Sequence, residues 1–216
     1  MKRIVLSVAV VLIMGTIAQE SIAQRLVSGG QTSVLLDTDT LSSVGLNLTS
    51  VSSDVLPGEL GDGSVAFAIN PRNGGLPTSF TYTAGSLAPF SGTIEHTGSI
   101  FFNEPDDTIE VGNFTIGFDE SRVGDSRSGF FVASTVGLAA TLFDIENPSS
   151  LDAGANNLLI TANLLVSAEL AAILGDTNLT GADVGDAFVN ATAIPEPSSG
   201  LLLTGMIGGL LLRRRR

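Results

Sequence analysis

The 216-residue chain has no cysteine, no tryptophan, one tyrosine and one histidine. Without cysteine there are no disulfides and no thiolate metal sites. One histidine, His96, with no cysteine cannot assemble the nitrogen and sulfur ligands of an ordinary zinc site. His96 would also have to be the base of any serine-hydrolase arrangement, but no G-x-S-x-G turn is present to supply the nucleophile. The ordinary phosphate-binding loop is excluded because no lysine follows a glycine-rich stretch. Sugar-stacking aromatics are scarce, Tyr82 being the single tyrosine, although 20 carboxylates between Gln24 and Ile194 leave a paired-carboxylate surface hydrolase open as a remote reading.

Positive charge is the next scarcity. Between Gln24 and Ile194 the only basic side chains are Arg25, Arg72, Arg122 and Arg127, and lysine is absent. Four cations against 20 carboxylates give this segment a net charge near −16. Nucleic-acid binding is disfavoured, because neutralising phosphates requires a basic surface, and so is non-specific attraction to anionic lipid. Solubility and mutual repulsion between copies account for such a charge; divalent-cation binding is the sharper alternative.

The other six basic residues lie at the two ends. Lys2 and Arg3 precede an apolar run over 4–17, and Ser21-Ile22-Ala23 offers small residues at the −3 and −1 positions of a cleavage site. Residues 1–23 therefore read as a secretory signal helix taken by the Sec translocon, with cleavage between Ala23 and Gln24. At the other end, Pro195 and Pro197 flank Glu196; each proline fixes its own φ and biases its predecessor to extended geometry, which makes a stiff exposed stretch. From Gly200 to Leu212 every residue except Thr204 is apolar or small, and Arg213, Arg214, Arg215 and Arg216 follow. A helix over those residues is about 20 Å long, short of the roughly 30 Å hydrocarbon core, so it reads as a marginal transmembrane span. The arginines belong on the cytoplasmic side.

Pro-Glu-Pro, short apolar helix and arginine block, in that order, resemble the PEP-CTERM sorting signal of Gram-negative bacteria, over residues 194–216. The resemblance implies recognition of Pro195, Glu196 and Pro197 by the membrane enzyme exosortase, contact with the membrane through the apolar helix, and removal of the helix and arginines after export. It implies an inner-membrane-anchored precursor, then a place at the cell surface or in the extracellular matrix, with extracellular polysaccharide as a partner. Segments 112–119, 128–132 and 179–185 look like pieces of other exported proteins that carry this tail; they imply a shared β-rich domain with no assigned activity.

Residues 24–193 form one domain by length, rich in Val, Leu, Ile, Phe, Thr, Ser and Gly, a strand-and-turn composition. Val65, Phe67 and Ile69 alternate with small residues. Strands are expected at 32–36, 92–102, 129–132, 139–145, 158–164 and 185–192, and one strand over 109–118 with a bulge at Gly112-Asn113. Asp37 to Ser43 reads as a polar turn. Ser167 caps one short helix over 168–174, with Gly175 stopping it. Nine or ten short strands point to an all-β fold, an antiparallel β-sandwich of jelly-roll type, with a β-barrel-like closure second.

Asp176, Asn178 and Thr180, followed by Gly181, copy the opening of a calcium loop, with Asp183 nearby. The twelfth position is Ala187 rather than a bidentate Glu, so a turn explains the segment as well. The first expectation is an exported, non-enzymatic surface or matrix protein without a cofactor. A calcium-dependent lectin-like module is the alternative.

Overall fold

β-branched and aromatic residues at alternate positions favour strands whose two faces differ, and a closed sheet is one way to bury one of those faces completely. The computed structural model describes residues 24–103 and 107–196. In chain order the elements are β1 (Gln24–Leu36), α1 (Thr38–Ser43), β2 (Leu48–Val51), β3 (Leu56–Pro57), β4 (Val65–Ile69), β5 (Thr81–Thr83), β6 (Leu87–Ser91), β7 (Ile94–Thr97), β8 (Ser99–Phe102), β9 (Ile109–Gly112), β10 (Thr115–Phe118), β11 (Arg127–Ala133), β12 (Val136–Gly137), β13 (Thr141–Glu146), β14 (Ser150–Ala153), β15 (Asn157–Val166), α2 (Ala168–Ile173) and β16 (Asp183–Pro195). The expected signal helix over 1–23 and the apolar helix with its arginines lie outside the described residues.

The all-β antiparallel class is as expected. The larger sheet runs β4-β7-β10-β11-β13-β15-β16-β1, and β1 pairs in addition with β4. Those eight strands follow one another up and down and return to the start, so the sheet closes as a barrel. An eight-stranded barrel is just wide enough for side chains to fill its interior, and the rows do so. Ile160, Val189, Thr32 and Phe67 stand in register on four successive strands; Ile116, Val132 and Phe143 do the same on the opposite side.

Because neighbours are antiparallel, excursions leave alternately at two ends. At the end called lower here, residues 37–64, 98–114, 134–140 and 167–182 form the helices and a four-stranded sheet, β12-β9-β8-β2. Leu41, Leu46, Phe102, Val111 and Leu170 from these segments, with Leu142 at the lower end of β13, make a second apolar layer that plugs the barrel. At the upper end, residues 70–93 carry the β5–β6 hairpin, and 119–126 and 147–156 are the other excursions. Both ends of the described chain, Gln24 and Glu196, also emerge at this upper end. The hydroxyl of Tyr82 reaches the carbonyls of Gly154 and Asn157, both at 2.8 Å, and ties the hairpin to the β14–β15 turn.

Several expectations need correction. The expected single helix is one of two: residues 38–43, read as a turn, form α1, capped by Asp37, whose carboxylate accepts from Thr40 N at 2.9 Å. The strand expected over 92–102 is two, broken at Gly98 with φ +121° where the chain passes from barrel to lower sheet. The bulged strand expected over 109–118 is likewise two, β9 and β10, in different sheets, with the break at Asn113, φ +44°. β1 is far longer than 32–36, because Gly29 and Gly30 pair with Thr192 and Ala191 inside the strand, next to a bulge at Ser28. The helix over 168–173 forms as read, with Ser167 Oγ accepting from Leu170 N at 3.0 Å and Gly175 at φ +79°.

Gly30 has φ +114°, and a Cβ there would lie 2.3 Å from the Asn190 carbonyl oxygen. A side chain meets both a disallowed backbone region and the partner strand. Gly30→Ala is expected to lower stability by about 2 kcal/mol in urea unfolding; an unchanged midpoint would mean that this pairing is not the closing seam.

Candidate functional site

Inward-facing residues from all eight barrel strands line one apolar cavity of about 80 Å³. Its origin is local: Ala162 and Ala187 pair directly across β15 and β16 and both face it. Two methyl groups stand where larger neighbours would fill the space. Ligand pockets for drug-sized molecules are several-fold larger, about 300 Å³ and upward, so the interior as it stands is a packing void. At about 24 cal/mol per Å³ it costs the fold roughly 2 kcal/mol.

The polar group in this setting is His96. It is buried at 1 % exposure, and both ring nitrogens are engaged. Nδ1 is 2.9 Å from the Phe114 carbonyl oxygen, which only accepts, so Nδ1 carries the hydrogen. Nε2 is then an acceptor for the Thr32 hydroxyl at 2.8 Å. Burial drives the pKa down to about 4, the Phe114 hydrogen bond and nearby Glu95 opposing only in part. The ring is therefore neutral near pH 7 and has no free lone pair for a metal or a substrate. Glu95 sits on the other face of the strand, where its carboxylate accepts from Thr93 Oγ1 and Thr115 Oγ1, both at 2.6 Å. The two neighbours do not act together.

Phe130, which lines the cavity, leads to an aromatic cluster at the upper end. Its ring centroid is 5.0 Å from that of Phe90 and 5.2 Å from that of Phe118, and Phe90 and Phe118 are 5.0 Å apart and edge to face. Edge-to-face geometry matches the ring quadrupoles. Phe118 is 39 % exposed, so the cluster closes the upper mouth with one ring in solvent.

On the outer wall sits an arrangement that sequence reasoning missed. Asp144, 1 % exposed, accepts from Arg122 Nη1 at 2.8 Å and has Arg127 Nη1 at 3.6 Å. Arg122 also binds Glu169 at the start of α2 and lies over the Phe131 ring, 5.3 Å from its centroid. Burial opposes the guanidinium charge, but Glu169 and Asp144 outweigh it and raise the Arg122 pKa. This clamp fastens the 119–126 excursion to β13 and α2. Spacings of 22 and 47 residues gave no signal in the sequence.

The calcium candidates are not gathered. The Asp176 carboxylate accepts from Asn178 N at 3.0 Å and caps a short 3₁₀ turn over 177–179. Asp183 accepts from Asn163 Nδ2 at 2.9 Å and Gly185 N at 3.1 Å. Thr180 ends the turn. Among the described residues no group of three or more His, Cys, Asp or Glu is placed to hold a metal ion. Of the tail motif, Pro195 is the last residue of β16, opposite Arg25, and Glu196 N donates to Gln24 O at 3.0 Å. Gln24 opens β1, whereas Ala23, Pro197 and the four terminal arginines lie outside the described residues.

No family model matches the chain, and no curated protein matches it either. Among solved structures it is similar to the C-terminal domain of HtaA from Corynebacterium glutamicum, with a TM-score of 0.51 and 13% identity, over 79% of this chain and 99% of that one. At that identity the likeness speaks to the fold alone.

Two outcomes test the interior. The unfolded chain takes a proton on His96 below about pH 6.5, whereas the folded ring resists until about 4. The histidine's share of stability is thus full above pH 6.5 and is lost as pH falls towards 4, by about 3 kcal/mol. His96→Gln should flatten this part of the stability profile; an unaltered slope would place the titration elsewhere. Ala162→Val should fill part of the void and raise stability by about 1 kcal/mol, and a lower melting temperature would show that the space is already taken.

Proposed function

We propose that the chain is an exported, non-enzymatic protein of the cell surface or extracellular matrix, delivered by exosortase processing of residues 194–216. The ordered tail, Pro195-Glu196-Pro197, then 200–212, then Arg213 to Arg216, carries this reading. The barrel supports it in one respect. The Pro-Glu-Pro motif starts where the closing strand ends, with Pro195 still paired and Glu196 holding the last main-chain hydrogen bond to Gln24. Removal of what lies beyond the motif takes no described strand from the barrel. Cleavage at the site read from 21–23 likewise takes nothing from the described part of β1. Trimming at both sites leaves the seam as described.

The mature domain then acts through its surface. Its carboxylates face solvent in excess of its cations, which keeps copies apart and favours association with cations or hydrated polysaccharide over nucleic acid. Mass spectrometry of the exported protein should find Gln24 as the first residue and the terminal arginines missing. Recovery of intact Arg213 to Arg216 in the exported form would overturn the reading.

A further inference from the structure

The two ends of the barrel differ chemically. All four arginines between Gln24 and Glu196 start from upper-end segments: Arg25 is near the start of β1, Arg72 is in the 70–80 loop, Arg122 lies within the 119–126 excursion with its side chain running down the wall to Asp144 and Glu169, and Arg127 follows that excursion. The lower-end excursions contain no arginine or lysine and carry Asp37, Asp39, Asp54, Asp62, Glu110 and Asp176 among their acids. Large exposed apolar side chains stand at both ends, Leu76, Phe118, Val123 and Ile194 at the upper and Val51, Leu56 and Ile173 at the lower, with Leu151 on the wall opposite Ile160.

The chain fixes how far this end can be from a bilayer. Only Pro197, Ser198 and Ser199 separate Glu196 from Gly200, where the apolar segment begins. Four Cα-to-Cα steps span at most about 14 Å. The headgroup layer on one side of a bilayer is itself roughly 5–7 Å thick. If residues 200–212 occupy the hydrocarbon core, at most about 7–9 Å of chain is left beyond the headgroup layer, so the upper end is held within about that distance of the headgroups.

We propose that the upper end of the barrel is a lipid-contact surface that rests on the phospholipid headgroups while the tail is in place. Leu76, Val123 and Ile194 sink into the interface, and the 119–126 loop is held in the required pose by the Arg122–Asp144 clamp. Arg122 and Arg127 are occupied by Asp144. Arg72, exposed on its loop, is the cation placed to meet lipid phosphates, whereas Arg25 is half-buried with its Nε out of reach of solvent. The acidic lower end points away from the membrane, where repulsion from anionic lipid is least. This inference rests on the membrane reading of the tail.

A cysteine-free chain allows a direct test. Full-length protein carrying a fluorophore at Val123→Cys or Leu76→Cys (upper end), or at Ile173→Cys (lower end), is reconstituted into zwitterionic phospholipid vesicles that contain a headgroup-borne quencher. Flotation first reports whether the chain is membrane-bound. Quenching several-fold stronger at both upper positions than at position 173 is the expected result. Equal quenching at the two ends of protein that floats would overturn the lipid-contact surface and leave the tail reading standing. Failure to float would overturn the tail reading, and the contact surface with it.

Discussion

The fold depends on one seam. β1 pairs with β16 from Arg25 opposite Pro195 to Leu36 opposite Gly185, and residues 31–34 of the same strand pair with β4 on the other edge. Every other neighbour in the barrel is joined by a local excursion, whereas this pairing joins residues 149 to 170 positions apart. Without it the meander would be an open sheet with two exposed edges, the arrangement most prone to pairing with other chains. Closure of so non-local a contact is slow, because the loop entropy must be met before the contact forms. The bulge at Ser28, beside Gly29-Gly30, belongs to the same constraint: it lets a 13-residue strand bend around a small barrel and serve two partners.

Once the ring is closed, what faces inward is fixed by parity, and the interior follows from residue size. Phenylalanines from β4, β11 and β13 fill most of it, and the paired alanines of β15 and β16 leave the void. His96 falls on an inward position of β7. It is tolerated because Thr32, two strands away on β1, and Phe114 beyond the strand satisfy both nitrogens. A buried ring with one donor and one acceptor matched is a neutral structural group, which is why a lone histidine in this chain is poor evidence for catalysis.

Strand identity was legible where alternation was local and clean. Val65 to Ile69 forms with the bounds the pattern gives, and the Ser167 cap with Gly175 marks α2 because capping is decided within four residues. What failed was anything needing distant information. The breaks at Gly98 and Asn113 look like a strand interior and a bulge, yet each is where the chain changes sheets, a choice made by partners far away in sequence. The short run Thr38 to Ser43 has weak helix propensity, and the Asp37 cap together with burial of Leu41 overrides it. Closure itself left no mark that separates a barrel from two packed sheets, since both demand the same alternation.

The acidic composition has a partly structural cause. Asp37, Asp119 and Asp176 each cap a helical turn through their own carboxylate, accepting from Thr40 N, Ser121 N and Asn178 N at 2.9, 2.9 and 3.0 Å. For Asp37 the bond from Thr40 N, and for Asp119 the hydrogen bond from the Ser121 hydroxyl, hold the carboxyl below the usual range. Asp183 anchors the start of β16 in the same manner. Acids used this way look like ligand clusters in a sequence, because caps and cation loops both need oxygen side chains followed by turn residues. They differ in direction: a cap turns its oxygens back onto its own amides, and a cation loop turns them towards one shared centre. Here the oxygens point home, so the charge that remains works as a surface field, concentrated at the end of the barrel opposite the arginines.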